Sequence, residues 1–185
     1  IRGRDVILQS EIGMLKTGPL AFGDDVDQDR INASCQPVTD LPGTVYFDIV
    51  ESFGMVRSGR MDVIIMGALQ VNARGDYAGW ANPARGLYGV GNIGGSMDLA
   101  VGAKRLLITM EHTTKQGHPK IVNELSYPPT TEGKVDMIFT DIAVLEVILQ
   151  GLLLREVYPG LTPEDIQSVT EPKLIVSSDL KEIEL

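Results

Sequence analysis

The apolar residues of this chain come in short, β-branched runs, each cut off by glycine, proline or charge. Residues 5–9 (DVILQ), 62–71 (DVIIMGALQV), 106–110 (LLITM) and 135–140 (VDMIFT) are of this kind. Residues 144–149, 152–157 and 174–177 continue the series. Runs of this length, rich in Val and Ile and bounded by turn residues, read as buried strands rather than helices. Helical signals fall between them. Residues 44–55 hold a short strand and a helix after a Pro42-Gly43 turn, and residues 96–105 read as a short helix. Thr162-Pro163-Glu164-Asp165 is a helix start, with Thr as cap, Pro in the first turn and acids against the positive end of the dipole. Residues 73–76 turn the 62–71 strand back into residues 77–80 as a hairpin. Strands alternating with helices early, then strands in succession, predict one α/β domain over residues 1–185. It should have an open, mixed, largely parallel sheet with flanking helices and antiparallel additions toward the C-terminus.

Charge removes several function classes. The 185 residues carry a net charge of −9, with no Lys/Arg cluster, so a nucleic-acid face is not expected. The acidic stretch 23–30 reads as a solvated loop. Cys35 is the single cysteine, which rules out a disulfide within the chain and a cysteine zinc site; it reads as structural or incidental. Two histidines, His112 and His118, make a poor metal cluster. Residues 143–154 are apolar but interrupted by Glu146, Gln150 and Gly151, and too short to span a bilayer. With no signal-peptide pattern, a cytoplasmic location is expected. The chain opens on Ile1 rather than Met, which suggests that something upstream is missing.

Residues 89–94 (GVGNIG) match the written form of a dinucleotide-binding turn. That turn needs a strand entering its first glycine. Here the lead-in, residues 81–88, is punctuated by Pro83 and Gly86 and offers no apolar run. The match is therefore a decoy. Gly94-Gly95 before a helix still has two physical readings: outward-pointing N–H groups that hold an anion or developing oxyanion, or a tight turn needing positive φ.

Glu11 is the other residue out of place. It directly follows the 5–9 strand, beside Gly13, at the carboxyl end where open α/β sheets bind ligands. A carboxylate there serves as base, ligand or nucleophile, or merely faces water. The segment Val6-Ile-Leu-Gln-Ser10-Glu11-Ile12-Gly13, followed by Gly18-Pro19, resembles the Ser-Glu-Asn-Gly segment in the B-type subunits of family I CoA-transferases, the 3-oxoacid, acetoacetate and 3-oxoadipate enzymes. The likeness continues through Gln36-Pro-Val-Thr39, Glu51-Ser-Phe53-Gly-Met55, Gly67-Ala-Leu-Gln70, Gly94-Gly95-Ser-Met97-Asp98, Met110-Glu111-His112-Thr113 and Asp141-Ile-Ala-Val144.

The resemblance implies the CoA-transferase fold and a ping-pong exchange of CoA between an acyl-CoA and a short carboxylic or 3-oxo acid. Glu11 would be the nucleophile that becomes a glutamyl-CoA thioester. Gly94, Gly95, Gly13 and Asn92 would bind substrate or its oxyanion. It also implies coenzyme A as substrate, no permanently bound cofactor or metal, and an A-type CoA-transferase subunit as partner, typically in a heterotetramer. Three departures stand out. Ile12 occupies the place of the family's Asn, Asn92 that of a glycine, and a strand-and-helix segment that the family's B-type subunits carry before the catalytic strand is absent. The first two keep open a non-catalytic acyl-CoA-binding scaffold of the same fold, with an acyl-CoA hydrolase as a nearer alternative.

Weaker candidates have plainer readings beside them. Glu111-His112 is a strand cap or a support to the site. Trp80 and Asn82 line an interface or belong to the hairpin, and Met55, Met61, Met66 and Met97 are core filler. Lys16 meets a CoA phosphate or is an ordinary surface lysine.

Overall fold

The computed structural model describes residues 5–83 and 93–184. Its contacts divide the chain into two compact units, Ile1–Ser58 and Gly59–Leu185.

The first unit is a small antiparallel sheet with one helix. β1 (Gln9–Ser10) turns into β2 (Met14–Leu20), which pairs with β3 (Val38–Tyr46). The β2–β3 register slips between Leu15↔Val45 and Thr17↔Asp40, leaving residues 41–44 as a bulge. Thr44 stitches that bulge: its Oγ1 lies 2.9 Å from the carbonyl oxygens of Lys16 and Leu41 and accepts the Leu41 N–H. Helix α1 (Ile49–Arg57) is capped by Asp48, whose carboxylate accepts the Glu51 N–H at 2.8 Å. It buries Ser52 and Val56, one turn apart on the same face.

The second unit is built on a six-stranded sheet. In spatial order it runs β4 (Val63–Gly67), β7 (Arg105–Thr109), β9 (Val135–Phe139), β10 (Ala143–Ile148), β11 (Gly151–Val157) and β12 (Leu174–Glu182). β4, β7 and β9 are parallel neighbours, β10 and β11 add on antiparallel, and β12 returns parallel to β11. A three-stranded satellite is formed by β5 (Gln70–Asn72), β6 (Tyr77–Ala78) and β8 (Ile121–Val122). Helix α2 (Ser96–Gly102) precedes β7, and α3 (Pro163–Ser168) precedes β12 with a complete Thr162–Asp165 capping box. The core holds Leu106, Ile108, Ile138, Leu145, Leu152 and Ile166, all essentially inaccessible. No helix of the described residues is long and apolar enough to cross a membrane.

The mixed sheet with a parallel centre and later antiparallel strands is the architecture expected from the sequence. Four local expectations are corrected. Residues 5–8 join no ladder, and Val6, Ile7 and Leu8 are exposed, so this run is not a buried strand. The 62–71 strand breaks after Gly67 and serves two different sheets. Pro42 and Gly43 lie in the bulge within β3 instead of a turn between elements. Met97 is half exposed on α2 and fills no core, whereas Met66 packs against it.

Between β7 and β9 the chain makes a long excursion, residues 110–134, pinned to the β5–β6 hairpin. Gln70 Oε1 accepts the N–H groups of Ser126 and Tyr127, and Arg74 makes a two-pronged ion pair with Glu124 at 2.7 Å. Asp76 is the buried anchor: it receives Asn72 Nδ2 at 2.7 Å, Arg74 Nε at 3.1 Å and the Gly133 N–H at 2.9 Å. Burial pushes its carboxyl pKa up, but these donors outweigh burial and hold it below the usual range. Asp76→Ala should lower stability by about 2 kcal/mol, as removal of a hydrogen-bonded charge does. Urea unfolding measures that loss, and limited proteolysis should show cutting near Gly133 that the parent chain resists.

Candidate active site

Glu11 occupies the corner of the β1–β2 hairpin. The strands pair Ser10 with Met14, leaving Glu11, Ile12 and Gly13 as the connection. The Gly13 N–H donates to the Ser10 carbonyl at 3.0 Å, closing a β-turn with Glu11 and Ile12 as its central residues. Among the described non-glycine residues only Lys16 and Cys35 have positive φ, so the turn is not one of the mirror-image types. Glu11 therefore does not end a parallel strand, as the sequence suggests. It projects from an antiparallel hairpin because the preceding run pairs only over its last two residues.

The turn is held from behind. Gly13 has φ 130, and its carbonyl accepts the Phe47 N–H at 3.0 Å. A Cβ built at this position would sit 2.2 Å from the Phe47 carbonyl oxygen, so only glycine lets the two backbones come this close. Both backbone groups of Gly13 are thus engaged, and its contribution is the shape of the corner. Gln9 Nε2 donates to Ser52 Oγ at 3.0 Å, tying β1 to α1. Sequence reasoning missed Gln9, Phe47 and Ser52. Their partners lie far off along the chain, or they act through backbone atoms, and no local pattern marks them. Glu11 is partly exposed, Ser10 and Met14 are buried, and Ile12 is 44% exposed.

Gly94 and Gly95 belong to the second unit. Gly94 has φ 50, and Gly95 caps α2, its carbonyl accepting the Leu99 N–H at 3.0 Å. The other end of the helix is fastened at the start of β4 by Lys104 N–H to Met61 and Arg105 N–H to Asp62. The glycine turn opens α2 at the end remote from that fastening. Asn92, and the dinucleotide-like glycines at 89 and 91, lie outside the described residues. Glu11 and Gly13 belong to the first unit, Gly94 and Gly95 to the second.

The weaker candidates have the following surroundings. His112 is 1% exposed, with Nδ1 3.0 Å from Thr140 Oγ1 and Nε2 2.8 Å from Thr170 Oγ1. Thr170 donates to the Ile166 carbonyl and so accepts from Nε2; Nδ1 of a neutral ring then accepts from Thr140 when that hydroxyl turns its proton from the Ala143 carbonyl, which keeps the Thr140 N–H. Burial lowers its pKa to about 4, against a raising pull from Asp141 and a further lowering push from Lys120. Lys120, not singled out in the sequence, is partly buried opposite Glu111 and Asp141, and burial lowers its own pKa. Trp80 Nε1 donates to the Pro129 carbonyl, and Lys16 Nζ to the Pro42 carbonyl at 2.5 Å. Cys35 is exposed at φ 58. Among the described residues no three His, Cys, Asp or Glu side chains are grouped to hold a metal ion.

Two outcomes follow from this geometry. Gly13→Ala should open the Phe47 contact and speed exchange of the Phe47 amide about tenfold or more, since backbone strain of this kind costs about 1–3 kcal/mol. For His112, the folded pKa near 4 lies below its ordinary 6.5, so the unfolded chain takes the proton first as pH falls. The stabilisation is complete above 6.5 and drains away toward pH 4, by about 3 kcal/mol in all. Urea midpoints across that window should fall steeply for the parent chain and more gently for His112→Gln.

Comparison with known proteins gives one consistent neighbourhood. The family model described as "Coenzyme A transferase" matches residues 2–168. The B-type subunit of the 3-oxoadipate CoA-transferase of Acinetobacter baylyi is 42% identical over 172 residues, covering 93% of this chain and 78% of that protein. The B-type subunit of the probable succinyl-CoA:3-ketoacid coenzyme A transferase of Bacillus subtilis is 38% identical over 178 residues, covering 96% and 81%. Among solved structures, an acyl-CoA transferase from Escherichia coli O157:H7, in a thioester complex with CoA, aligns at TM-score 0.72 and 22% identity. That alignment covers 96% of this chain but 35% of the larger protein, so this chain spans about a third of its length. The decarboxylase AibA/AibB also aligns, at TM-score 0.61 and 20% identity over 76% of this chain and 58% of its own.

Proposed function

The chain belongs to the coenzyme A transferase family, and from that premise we propose that it is a catalytic B-type subunit whose nucleophile is Glu11. Its reaction moves CoA between an acyl-CoA and a short carboxylic or 3-oxo acid. The observation that carries the reading is the presentation of Glu11 on a corner locked by Gly13 and Phe47. A carboxylate held in that way keeps its geometry through several successive attacks.

The Glu11 carboxylate oxygen attacks the thioester carbonyl, the C–S bond breaks, and CoA leaves as thiolate, giving an acyl-glutamyl anhydride. The thiolate then attacks the glutamyl carbonyl; the donor acid departs as carboxylate and a glutamyl-CoA thioester remains. An incoming carboxylate attacks that thioester and expels the thiolate, which finally takes the new acyl group and frees Glu11. Every step exchanges one acyl bond for another, so electrons and protons balance without a redox partner. CoA enters and leaves as substrate.

An A-type partner chain, in a heterotetramer, completes the proposed unit. The relatives from Acinetobacter baylyi and Bacillus subtilis are each named as one subunit of an enzyme. The exposed apolar run Val6, Ile7 and Leu8, with Phe22 and Val50, fits a surface that an assembly covers. The proposed compartment is the cytoplasm, where a lone exposed Cys35 stays a thiol.

The test is peptide mass spectrometry of the complex with its A-type partner, treated with acyl-CoA and then borohydride. A reduced glutamyl side chain at Glu11, absent in Glu11→Gln, is the expected result. Unmodified Glu11 in a folded, CoA-binding complex would overturn the nucleophile and favour a scaffold. Labelled Glu11 with release of free acid but no acceptor-dependent exchange would instead identify a hydrolase.

A further inference from the structure

Beside Glu11 stands an isoleucine that unit 1 gives no reason to keep. Turn corners favour Gly, Asn, Asp and Ser, whose backbones and short polar side chains suit the reversal. A β-branched side chain is stiff at χ1 and belongs on a pleated surface. Ile12 is 44% exposed, while Met14, two residues on, is 3% exposed and fills the interior. Much of its branch is therefore left open to whatever approaches the corner. Yet it does not move freely. The Gly13–Ser10 and Phe47–Gly13 backbone bonds hold the corner, and with it the direction in which positions 11 and 12 project.

We infer that Ile12 is a specificity-determining residue: an apolar wall beside the nucleophile that selects acids with a plain hydrocarbon chain next to the carboxyl group. It disfavours acids carrying a 3-oxo or hydroxy oxygen there. The inference rests on Glu11 being the nucleophile and narrows the class of acid that Glu11 handles. In both half-reactions the acyl carbonyl carbon becomes bonded to a Glu11 oxygen. The next carbons of the acid then lie within a side chain's reach of the neighbouring corner residue. A methylene set against Ile12 leaves water at a gain. An oxo oxygen in the same place gives up its water and finds no donor. Contacts of this kind discriminate by about tenfold to a few hundredfold.

Butyrate and acetoacetate differ only at the oxo oxygen, which makes them the matched pair of acceptors. With the complex of this chain and its A-type partner and a common acyl-CoA donor, kcat/KM should favour butyrate. Ile12→Asn should move the ratio toward acetoacetate by about tenfold or more, while Ile12→Val leaves it close to the parent value. Asparagine suits a turn corner better than isoleucine, so folding is not at stake, and the parent chain's own preference tests the idea without any variant. Borohydride labelling of Glu11, run in parallel, separates the two levels. Glu11 labelled in parent and Ile12→Asn, with an unmoved ratio or a parent preference for acetoacetate, overturns the role of Ile12 alone. No labelling in either overturns the nucleophile and this inference with it.

Discussion

Residue 13 has no side chain, and the order of the first unit depends on that absence. Two backbones meet there at a separation no Cβ would tolerate, and the Phe47 N–H closes on the Gly13 carbonyl. That single bond joins the end of β3 to the β1–β2 corner. It carries the connection into α1, whose Ser52 in turn holds Gln9. Among the described residues the unit has three strands, one α-helix and one 3-10 turn, and little apolar interior of its own. A backbone clamp does the work that a deep core does elsewhere. The second unit is organised the other way, around inaccessible Leu and Ile side chains from β7, β9, β10 and β11.

That difference decided what could be read in advance. The runs at 106–110, 135–140 and 152–157 became β7, β9 and β11 within a residue or so, because strands inside a wide sheet are mostly apolar. The Thr162–Asp165 cap was equally legible, since a capping box is a contact between residues three apart. Residues 5–9 misled because the same composition also suits an exposed surface, and periodicity says nothing about what covers it. Residues 62–71 look like one strand, but Gly67 ends β4 and the chain crosses into another sheet, a choice made by partners far away in sequence. At the site, the type and position of Glu11 could be noticed from its neighbours. Its place on an antiparallel corner is set by contacts between distant residues, Gly13 with Phe47 and Gln9 with Ser52.

The fold alone does not choose the chemistry. A decarboxylase shares this architecture with transferases, as expected when functional groups ride on loops and corners over a common sheet. The chemistry of such a chain therefore rests on a few side chains. In the function proposed above those are the Glu11 carboxylate and, beside it, the Ile12 side chain. The buried His112 belongs to the second unit. Thr140 and Thr170 contact its two ring nitrogens, and burial keeps the ring neutral over most of the physiological range.

The excursion through residues 110–134 bears on how the sheet assembles. Parallel pairing of β7 with β9 requires closing a long connection, whose entropic cost must be met before the two strands gain anything from each other. The contacts from Gln70, Arg74 and Asp76 reach 50 to 57 residues along the chain, farther than the β7–β9 pairing beside them. The hairpin and the excursion therefore add non-local contacts to a sheet that is already non-local, and a chain with such contacts folds slowly.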